Sequence, residues 1–464
     1  MTSTKNRTLA LVLLVSMLLT AVPARAQQGG PVYLIQAGDT LSAIARTFGT
    51  TVEALMSANG LTNAAAIQPG QSLVVPGFEG ISGTLTTRPV GLGDNLDGLA
   101  FELASPADAL GRLNRMLHPE RLYVGQSFIQ AEQAGAAPAS TVKQVGEGLG
   151  PVEWAASRGL NPWRLRPVAA ADLRLWLVPG ELVAGPPAEG EVGGSLPAPL
   201  ADLELSPAPA AQGQTLVLAA EATAEVVLSG SFDGRPLNFM RADDGSWVAL
   251  QGVHALTEPG LYDIAVSLQP ASGEWTYAFN QPFPVRSGGY GFDPVLFVPE
   301  ETVGPENTRP EDARIAELVR PATEIKRWQG AFAYPSNFFT ESFPSVFGTR
   351  RNYNNTGYNA YHTGLDFYGG VGVPIVAPAP GRVVFAGELT VRGWTTIIDH
   401  SWGVYTLYLH QSEILVEAGQ EVETGETIGL VGASGRVTGP HLHWEVQVGG
   451  VPVEPLDWLE LTYP

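Results

Sequence analysis

The sequence predicts a multidomain, mainly β protein with N-terminal α+β repeats, a β-sandwich spacer and a C-terminal antiparallel β domain. Three observations lead to this prediction. The chain has 464 residues, which suits three or four domains of ~100–200 residues each. Its 54 glycines and 37 prolines indicate many turns and linkers. Short strands with alternating apolar residues recur in the second half of the chain.

Composition excludes several classes of partner and chemistry. The net charge of −20 argues against a nucleic-acid partner, because binding phosphates requires clustered Lys and Arg. The chain has no cysteine, so disulfides, thiol nucleophiles and thiolate metal ligands are excluded. Any metal must therefore be held by histidines and carboxylates.

The first 26 residues have the pattern of a signal peptide. Lys5 and Arg7 precede an almost wholly apolar run from Leu9 to Val22, and Ala24-Arg25-Ala26 fits a small-x-small cleavage site. The apolar run is shorter than the ~20 residues that a membrane span needs. We therefore expect cleavage after Ala26, an extracytoplasmic location and no membrane span afterwards.

Residues 31–77 are predicted to form a compact strand–helix–helix–strand unit. Gly38-Asp39-Thr40 can cap a first helix, and Thr50 with Glu53 forms a capping box for a second. The segments "VYLIQAGDTLSAIARTFGT", "ALMSANGL" and "IQPGQSLVVP" resemble the LysM module. The resemblance implies binding of glycans that contain N-acetylglucosamine, with the groove at Gly38–Thr40 and Ser57–Leu61.

The same layout returns twice in weaker form before the sequence changes character. Residues 88–131 are interpreted as a degenerate LysM-like repeat and residues 142–180 as a weaker one, with generic helical hairpins as the alternative. Residues 181–213 are rich in Pro, Ala and Gly and are predicted to be a linker. Short strands over 214–299 predict an immunoglobulin-like β-sandwich that serves as a spacer or docking module. Residues 300–328 are predicted to be a helical connector, with a helix from Pro310 to Val319.

Histidines concentrate near the C-terminus, in residues 329–464. Five of the seven histidines lie there, at positions 362, 400, 410, 441 and 443. His362 stands four residues before Asp366, and His441 and His443 are two apart on a predicted strand, where alternation places both side chains on one side. A single histidine is more often structural than a ligand. Several His-bearing strands in one cysteine-free domain favour a metal site.

Zinc chemistry requires such a set of side chains. Catalytic zinc sites use three protein ligands of N or O type and keep a further position for water, whose pKa falls from ~15.7 to about 7. Additional imidazoles can then move protons and stabilise a developing oxyanion.

Residues 329–464 resemble the lysostaphin-type (LytM-like) zinc endopeptidases of bacterial cell walls. The matching motifs are "YHTGLDF", "GPHLHWEV", "VFGTRR" and "APAPGRVVFAG". The resemblance implies an antiparallel β peptidase domain with Zn²⁺ ligands at His362, Asp366 and His443. It implies catalytic roles for His410 and His441, as general base and transition-state stabiliser in an order left open. It also places Arg350 beside the substrate. One departure from the family is Ser401-Trp402-Gly403, where a Gly-Asn-Gly turn is common, and we expect it at a groove wall.

The combined prediction is a secreted peptidoglycan hydrolase. The C-terminal domain would cut peptide cross-links or stem peptides, while LysM holds the glycan. Two alternatives stay open: a metal-free or latent regulator of other cell-wall hydrolases, and a wall-binding protein without activity.

Overall fold

The computed structural model describes residues 30–78, 80–103, 105–116, 118, 121–132, 141–145, 151–157, 165–168, 180–185, 196–273, 276–336 and 343–464. The predicted signal peptide at residues 1–26 lies outside them. The chain divides into two compact units, Met1–Leu85 and Thr86–Pro464. Within the described ranges, no helix combines the length and apolar character needed to cross a membrane.

The first unit contains the predicted strand–helix–helix–strand order. Its elements are the strand Val32–Leu34, the helices Leu41–Phe48 and Val52–Asn59, and the strand Ser72–Val74, which pairs antiparallel with the first strand. Thr40 caps the first helix, as expected. The second helix is capped by Thr51, whose side chain accepts from the Ala54 amide, and not by the predicted Thr50. The Asn59 side chain joins this helix to the last strand. It accepts a hydrogen bond from the Val74 amide at 2.7 Å and donates one to the Val74 carbonyl oxygen at 2.8 Å.

A second segment has the same order of elements. It consists of the strand Thr84–Pro89, the helices Leu96–Glu102 and Ala107–Leu113, and the strand Ser127–Glu132. Asn114, just after its second helix, bonds both backbone groups of Ile129 at 2.6 and 2.8 Å, as Asn59 does with Val74. The two segments therefore share an asparagine that joins the second helix to the last strand, and the degenerate repeat at 88–131 stays a prediction.

The third predicted repeat is described only in part. Its described elements are the strand Thr141–Gln144, the helix Pro151–Ser157, and the strands Arg166–Pro167 and Leu182–Gly185. Residues 146–150, 158–164 and 169–179 lie outside the described ranges, so the repeat at 142–180 stays a prediction.

Two sheets form the predicted sandwich. The first contains, in spatial order, Met240–Arg241, Trp247–Gly252, Thr215–Ala222 and Leu200–Ser206; the second contains Arg235–Pro236, Val226–Phe232, Gly260–Pro270, Tyr277–Arg286 and Ala210–Ala211. Leu205, Leu218, Ile264 and Phe283 are buried in the core that the sheets share. The predicted linker therefore ends too late at 213. Leu200, Leu203 and Leu205 are buried in the sandwich core, so the strand Leu200–Ser206 is already part of the sandwich.

The connector helix begins earlier than predicted. It spans Pro305–Leu318, with Pro305 in its first turn and Pro310 inside it, and follows a 3₁₀ turn at Glu300–Thr302. Ile315 and Val319 pack on Phe385 and Leu407. This burial offsets the loss of the backbone hydrogen bond that Pro310 removes from the helix.

The C-terminal domain is built on one large antiparallel sheet, as predicted. Its main path is Leu365–Tyr368, His441–Val448, Val404–Ile414, Gly393–Asp399, Gly381–Leu389 and Glu421–Val422. Pro374–Val376, Thr427–Val431 and Val451–Val453 extend it, Arg350–Arg351 pairs with Ala360–Tyr361, and the helix Pro455–Glu460 follows. The Ser401-Trp402-Gly403 turn does not lie at the groove. Trp402 is buried against Trp328, and its indole N–H donates to the Glu324 carbonyl oxygen.

The sandwich and the C-terminal domain share a core. Val248 and Leu250 of the sandwich are buried in the same cluster as Val448 and Val453. The Trp458 indole N–H also donates to the Thr215 hydroxyl at 3.2 Å. The sandwich is therefore packed directly against the sheet that carries the histidines.

Candidate metal centre

Three donor atoms from neighbouring segments converge in the C-terminal domain. His362 Nε2, Asp366 Oδ1 and His443 Nδ1 lie 2.9 Å from one another in each pair, and all three side chains are buried. Asp366 and His443 are directly opposite each other on paired strands, and His362 stands just before the first of these strands. Among the described residues, these three form the cluster of histidine and acidic side chains that can hold a metal ion.

Outer hydrogen bonds fix which nitrogen of each histidine faces the centre. His362 Nδ1 lies 2.9 Å from the Val346 carbonyl oxygen, and His443 Nε2 lies 3.1 Å from Glu445 Oε1. Because a carbonyl or carboxylate oxygen only accepts, these ring nitrogens carry the protons. In the neutral rings, His362 Nε2 and His443 Nδ1 then present lone pairs to the centre, which is the state that a metal requires.

Two further imidazoles border the same centre. His410 and His441 have ring centroids 5.2 Å apart, and His441 Nε2 lies 3.6 Å from Asp366 Oδ1. His410 Nδ1 donates to the Ser434 carbonyl oxygen and His441 Nδ1 to that of Gly439, each at 2.8 Å. Both rings therefore keep Nε2 available to accept a proton.

A backbone irregularity directs His410 into the site. His410 has a φ of 63°, which is rare for a residue other than glycine, and its amide donates to the Arg392 carbonyl oxygen. The pairing of Val404–Ile414 with Gly393–Asp399 shifts register at this point. Bulges of this kind re-aim side chains beside active sites.

Burial and hydrogen bonding set the charges of these groups. Burial lowers the pKa of His362 to about 4 and that of His410 well below its ordinary value, so both rings are neutral near pH 7. Burial also opposes charge on His443, but its hydrogen bonds with Asp366 and Glu445 outweigh burial and raise its pKa. Burial disfavours the Asp366 carboxylate, yet its contacts with His362 and His443 hold its pKa well below the usual range.

Arg351, and not Arg350, contacts the centre. Arg351 Nη2 donates to Asp366 Oδ2 at 3.1 Å, and its Nε donates to Asp293 at 3.2 Å. Arg350 instead donates to the Tyr358 carbonyl oxygen. Adjacent residues of a strand point to opposite sides, so only one of the two arginines can face the site, and the prediction for Arg350 is corrected.

Glycine is required inside the His362–Asp366 motif. A Cβ on Gly364 would overlap the carbonyl oxygen of Trp444 and lie 2.9 Å from His443 Nε2. The close approach of the two strands therefore depends on the missing side chain.

Glu445, Asp293 and His254 also contact groups of the site and were not predicted from the sequence. Glu445 is buried, and its pKa is about 2, because the His443 hydrogen bond and charge outweigh the effect of burial. Strand alternation predicts its position, since it follows His443 by two residues. His254 contacts Tyr361 from the sandwich, 3.2 Å from its hydroxyl, and no sequence signal connects these two residues.

The remaining histidine of the domain, His400, lies away from the centre. Its ring nitrogens contact the Pro380 carbonyl oxygen and the Thr406 hydroxyl, each at 2.8 Å, and the side chain is fully buried. These contacts are those of a structural residue.

Two cavities open at this centre. The Asp366 cavity, about 330 Å³, is lined by Asp366, His410 and His441, with Asp293, Leu296 and Val298 along one wall. The Glu445 cavity, about 310 Å³, is lined by Glu445, His443 and Arg392, with His254 and Leu256 contributed by the sandwich. Arg351, Tyr353, His410 and Arg436 line both.

Comparison with known proteins finds relatives for a part of this chain. It is 37% identical over 123 residues to peptidoglycan DD-endopeptidase ShyB of Vibrio cholerae, covering 26% of this chain and 29% of that protein. It is 44% identical over 95 residues to DD-carboxypeptidase/endopeptidase Mpg of Neisseria meningitidis, covering 20% and 22%. The alignments thus span less than a third of these relatives.

Comparison with solved structures finds two peptidases among its matches. A putative peptidase M23 from Pseudomonas aeruginosa is 25% identical, with a TM-score of 0.40, and the match covers 55% of this chain and 95% of that one. A zinc containing peptidase from Vibrio cholerae is 17% identical, with a TM-score of 0.28, and the match covers 93% and 99%.

Two family models match separate parts of the chain. The model of the LysM domain matches residues 33–76. The model of Peptidase family M23 matches residues 360–455, which include all three converging donors. These matches confirm the resemblance inferred from the motifs: residues 33–76 match the LysM domain, and residues 360–455 match Peptidase family M23.

Proposed function

We propose that this protein is a secreted zinc endopeptidase that hydrolyses peptide cross-links or stem peptides of peptidoglycan. The observation that carries the proposal is the convergence of His362 Nε2, Asp366 Oδ1 and His443 Nδ1 beside two imidazoles with free Nε2 atoms. The name of the Vibrio cholerae relative, a peptidoglycan DD-endopeptidase, supports the choice of substrate.

The donor set fits zinc. Two nitrogen lone pairs and a carboxylate oxygen at mutual distances of 2.9 Å repel one another unless a cation or a shared proton lies between them. Zinc takes imidazole nitrogen and carboxylate oxygen, and three protein ligands leave a position for water. His362, Asp366 and His443 would hold the ion. When bound, zinc lowers the pKa of a coordinated water and polarises a carbonyl group.

His410 and His441 supply the proton chemistry. Their Nδ1 protons are held by backbone oxygens, so each Nε2 can take a proton from water or, once protonated, donate to the leaving amine or an oxyanion. The low pKa of buried His410 keeps its ring neutral and able to accept. Which of the two is the base and which stabilises the transition state stays open.

The outer residues hold the ligands in place. Arg351 donates a hydrogen bond to Asp366 Oδ2, the carboxylate oxygen that does not face the centre, and Glu445 accepts one from His443 Nε2. Glu445 is itself held by Gln447 at 2.9 Å and by the Thr363 hydroxyl. Such outer partners orient ligands and tune their basicity.

The LysM segment is proposed to hold the enzyme on glycan that contains N-acetylglucosamine. The match of residues 33–76 to the LysM domain supports this assignment, and we propose the groove at Gly38–Thr40 and Ser57–Leu61. Asp39 accepts hydrogen bonds from the Tyr33 hydroxyl and the Gln36 amide, which order the first of these loops. Binding at LysM would then concentrate the C-terminal domain on its peptide substrate.

The test is digestion of purified peptidoglycan by the full protein, with mass analysis of the fragments. We expect new amino groups, their loss with a chelator, and recovery on addition of zinc. Release of sugar reducing ends without amino groups would contradict the proposal. A zinc-loaded protein that releases nothing would favour the regulator or the wall-binding protein.

A further inference from the structure

Three arginines line the two cavities, Arg351 and Arg436 in both and Arg392 in the Glu445 cavity, and their acidic partners differ in number. Arg351 has two acidic partners, Asp293 and Asp366, at 3.2 and 3.1 Å. Arg392 also has two, Glu311 and Asp312, at 2.9 and 3.0 Å.

The third arginine, Arg436, has no carboxylate within 4.0 Å among the described residues. Its Nη1 donates to the Thr302 carbonyl oxygen at 3.2 Å, and its guanidinium lies over the Tyr353 ring, 4.4 Å from the centroid. Burial and the charges of Arg392 and Arg351 lower the pKa of Arg436 and outweigh the opposing effects of Tyr353 and the more distant Asp312. The group stays cationic near neutral pH, so it is a half-buried positive charge without an acidic partner.

The position of Arg436 relates this charge to the reaction. Arg436 lines both the Asp366 cavity and the Glu445 cavity, as does His410. The acidic groups of the site, Asp366 and Glu445, are already bound by Arg351 and His443. Of the two arginines that line both cavities in the described part of the chain, Arg436 is therefore the one without a carboxylate partner, and an anion that enters either cavity can pair with it.

We propose that Arg436 is a specificity-determining residue that binds a free carboxylate of the peptide substrate next to the cleaved bond. The inference rests on the proposed function, because peptides carry carboxylates as their anionic groups. A guanidinium suits this ligand, since its N–H donors pair with both carboxylate oxygens. Contacts with Tyr353 and Thr302 hold the Arg436 guanidinium in one orientation, so little conformational freedom is lost when the carboxylate binds.

The test uses two synthetic cross-linked stem peptides that differ only in their carboxylates, free in one and amidated in the other. For the wild-type protein we expect kcat/KM to be about 10- to 100-fold higher for the peptide with the free carboxylate. This ratio corresponds to the usual contribution of a hydrogen bond to a charged group. In Arg436→Gln this ratio falls towards 1, mainly through KM. Arg436→Lys keeps part of it, because the charge remains.

Controls separate binding from folding. Arg382→Gln removes the same charge from an exposed site on the strand Gly381–Leu389 and should leave the ratio unchanged. A structural defect in Arg436→Gln lowers activity on both peptides alike and leaves the ratio intact. That outcome, or a wild-type ratio near 1, overturns the proposal.

Equilibrium binding of the same peptides distinguishes this inference from the proposed function. If the zinc-loaded protein hydrolyses neither peptide nor peptidoglycan, the proposed function fails. Tighter binding of the free-carboxylate peptide that is lost in Arg436→Gln then still supports the inference. Equal binding of both peptides by the wild-type protein contradicts it.

Discussion

Asp366 and His443 are direct cross-strand partners, and their side chains meet with Oδ1 and Nδ1 2.9 Å apart. Residues opposite each other in an antiparallel pair have Cβ atoms about 4.5–5.5 Å apart, so the register itself brings the two donors together. A shift of one residue would turn one donor to the other face of the sheet. The metal centre therefore depends on the pairing of Leu365–Tyr368 with His441–Val448.

Removing either member of this pair should abolish metal binding. We expect Asp366→Ala and His443→Ala to lose most affinity, because each removes one of three protein ligands. Metal analysis of the purified proteins after dialysis against a zinc buffer measures the effect. Asp263→Ala, at an exposed sandwich position, is the matched control. One zinc per chain at wild-type affinity in either variant would contradict the ligand assignment.

Arg351 should matter for metal affinity although it is not a ligand. Arg351→Gln removes the charged hydrogen bond to Asp366 Oδ2, and we expect zinc affinity to fall by about 10- to 100-fold. Competition with a chromogenic chelator measures this affinity. Arg350→Gln is the control, since Arg350 donates to the Tyr358 carbonyl oxygen and not to the centre. Equal losses in the two variants would show that the effect is not specific to Asp366.

His410 should be required for turnover but not for zinc. We expect His410→Ala to keep one zinc per chain and lose about 10²–10⁴-fold in kcat, the usual contribution of a proton-transfer group. His410→Gly should be equally inactive but melt at a higher temperature than His410→Ala, because glycine adopts a φ of 63° without strain. Loss of zinc from His410→Ala would make His410 a ligand and overturn its proposed role.

Much of this centre could be predicted from residue spacing. Strand alternation alone places His441 and His443 on one side, and the structure brings both to Asp366. The bulge at His410 could not be predicted, since it depends on an amide bond to Arg392 on another strand. The sequence also could not predict that Arg351, and not Arg350, contacts Asp366. The motif locates the strand but does not show which side of the strand faces the three donors. The contact of His254 with Tyr361 joins residues 107 positions apart that only the packed sandwich brings together.

The LysM segment should govern retention on the cell wall and not the chemistry. A chain that begins at Thr86, the start of the second compact unit, should hydrolyse small cross-linked peptides at the rate of the full protein. It should sediment less with insoluble peptidoglycan, in the presence or absence of a chelator, because sugar contacts need no metal. Equal sedimentation of both proteins would place glycan binding elsewhere. The melting temperature of the shortened chain checks that it is folded.

Glu454 should make stability depend on pH at the junction of the sandwich and the C-terminal domain. Its carboxylate accepts from the Leu456 amide, and its own amide donates to the Gly213 carbonyl oxygen. Burial raises the pKa of Glu454 from 4.5 to about 7, with the charges of Asp457 and Glu460 adding to the effect.

The folded protein therefore holds a proton on Glu454 that the unfolded chain releases between pH 4.5 and 7. Since the folded state binds more protons in this window, the free energy of unfolding falls as pH rises through it and levels off above pH 7. Glu454→Gln keeps a neutral acceptor for the Leu456 amide and removes this titration. We expect the variant to melt higher than wild type at pH 8 and at a similar temperature at pH 4, measured by calorimetry at both pH values. If the melting temperatures of the two proteins differ by the same amount at pH 4 and pH 8, Glu454 does not titrate between these pH values. If Glu454→Gln melts lower than wild type at pH 8, the charged form of Glu454 stabilises the fold.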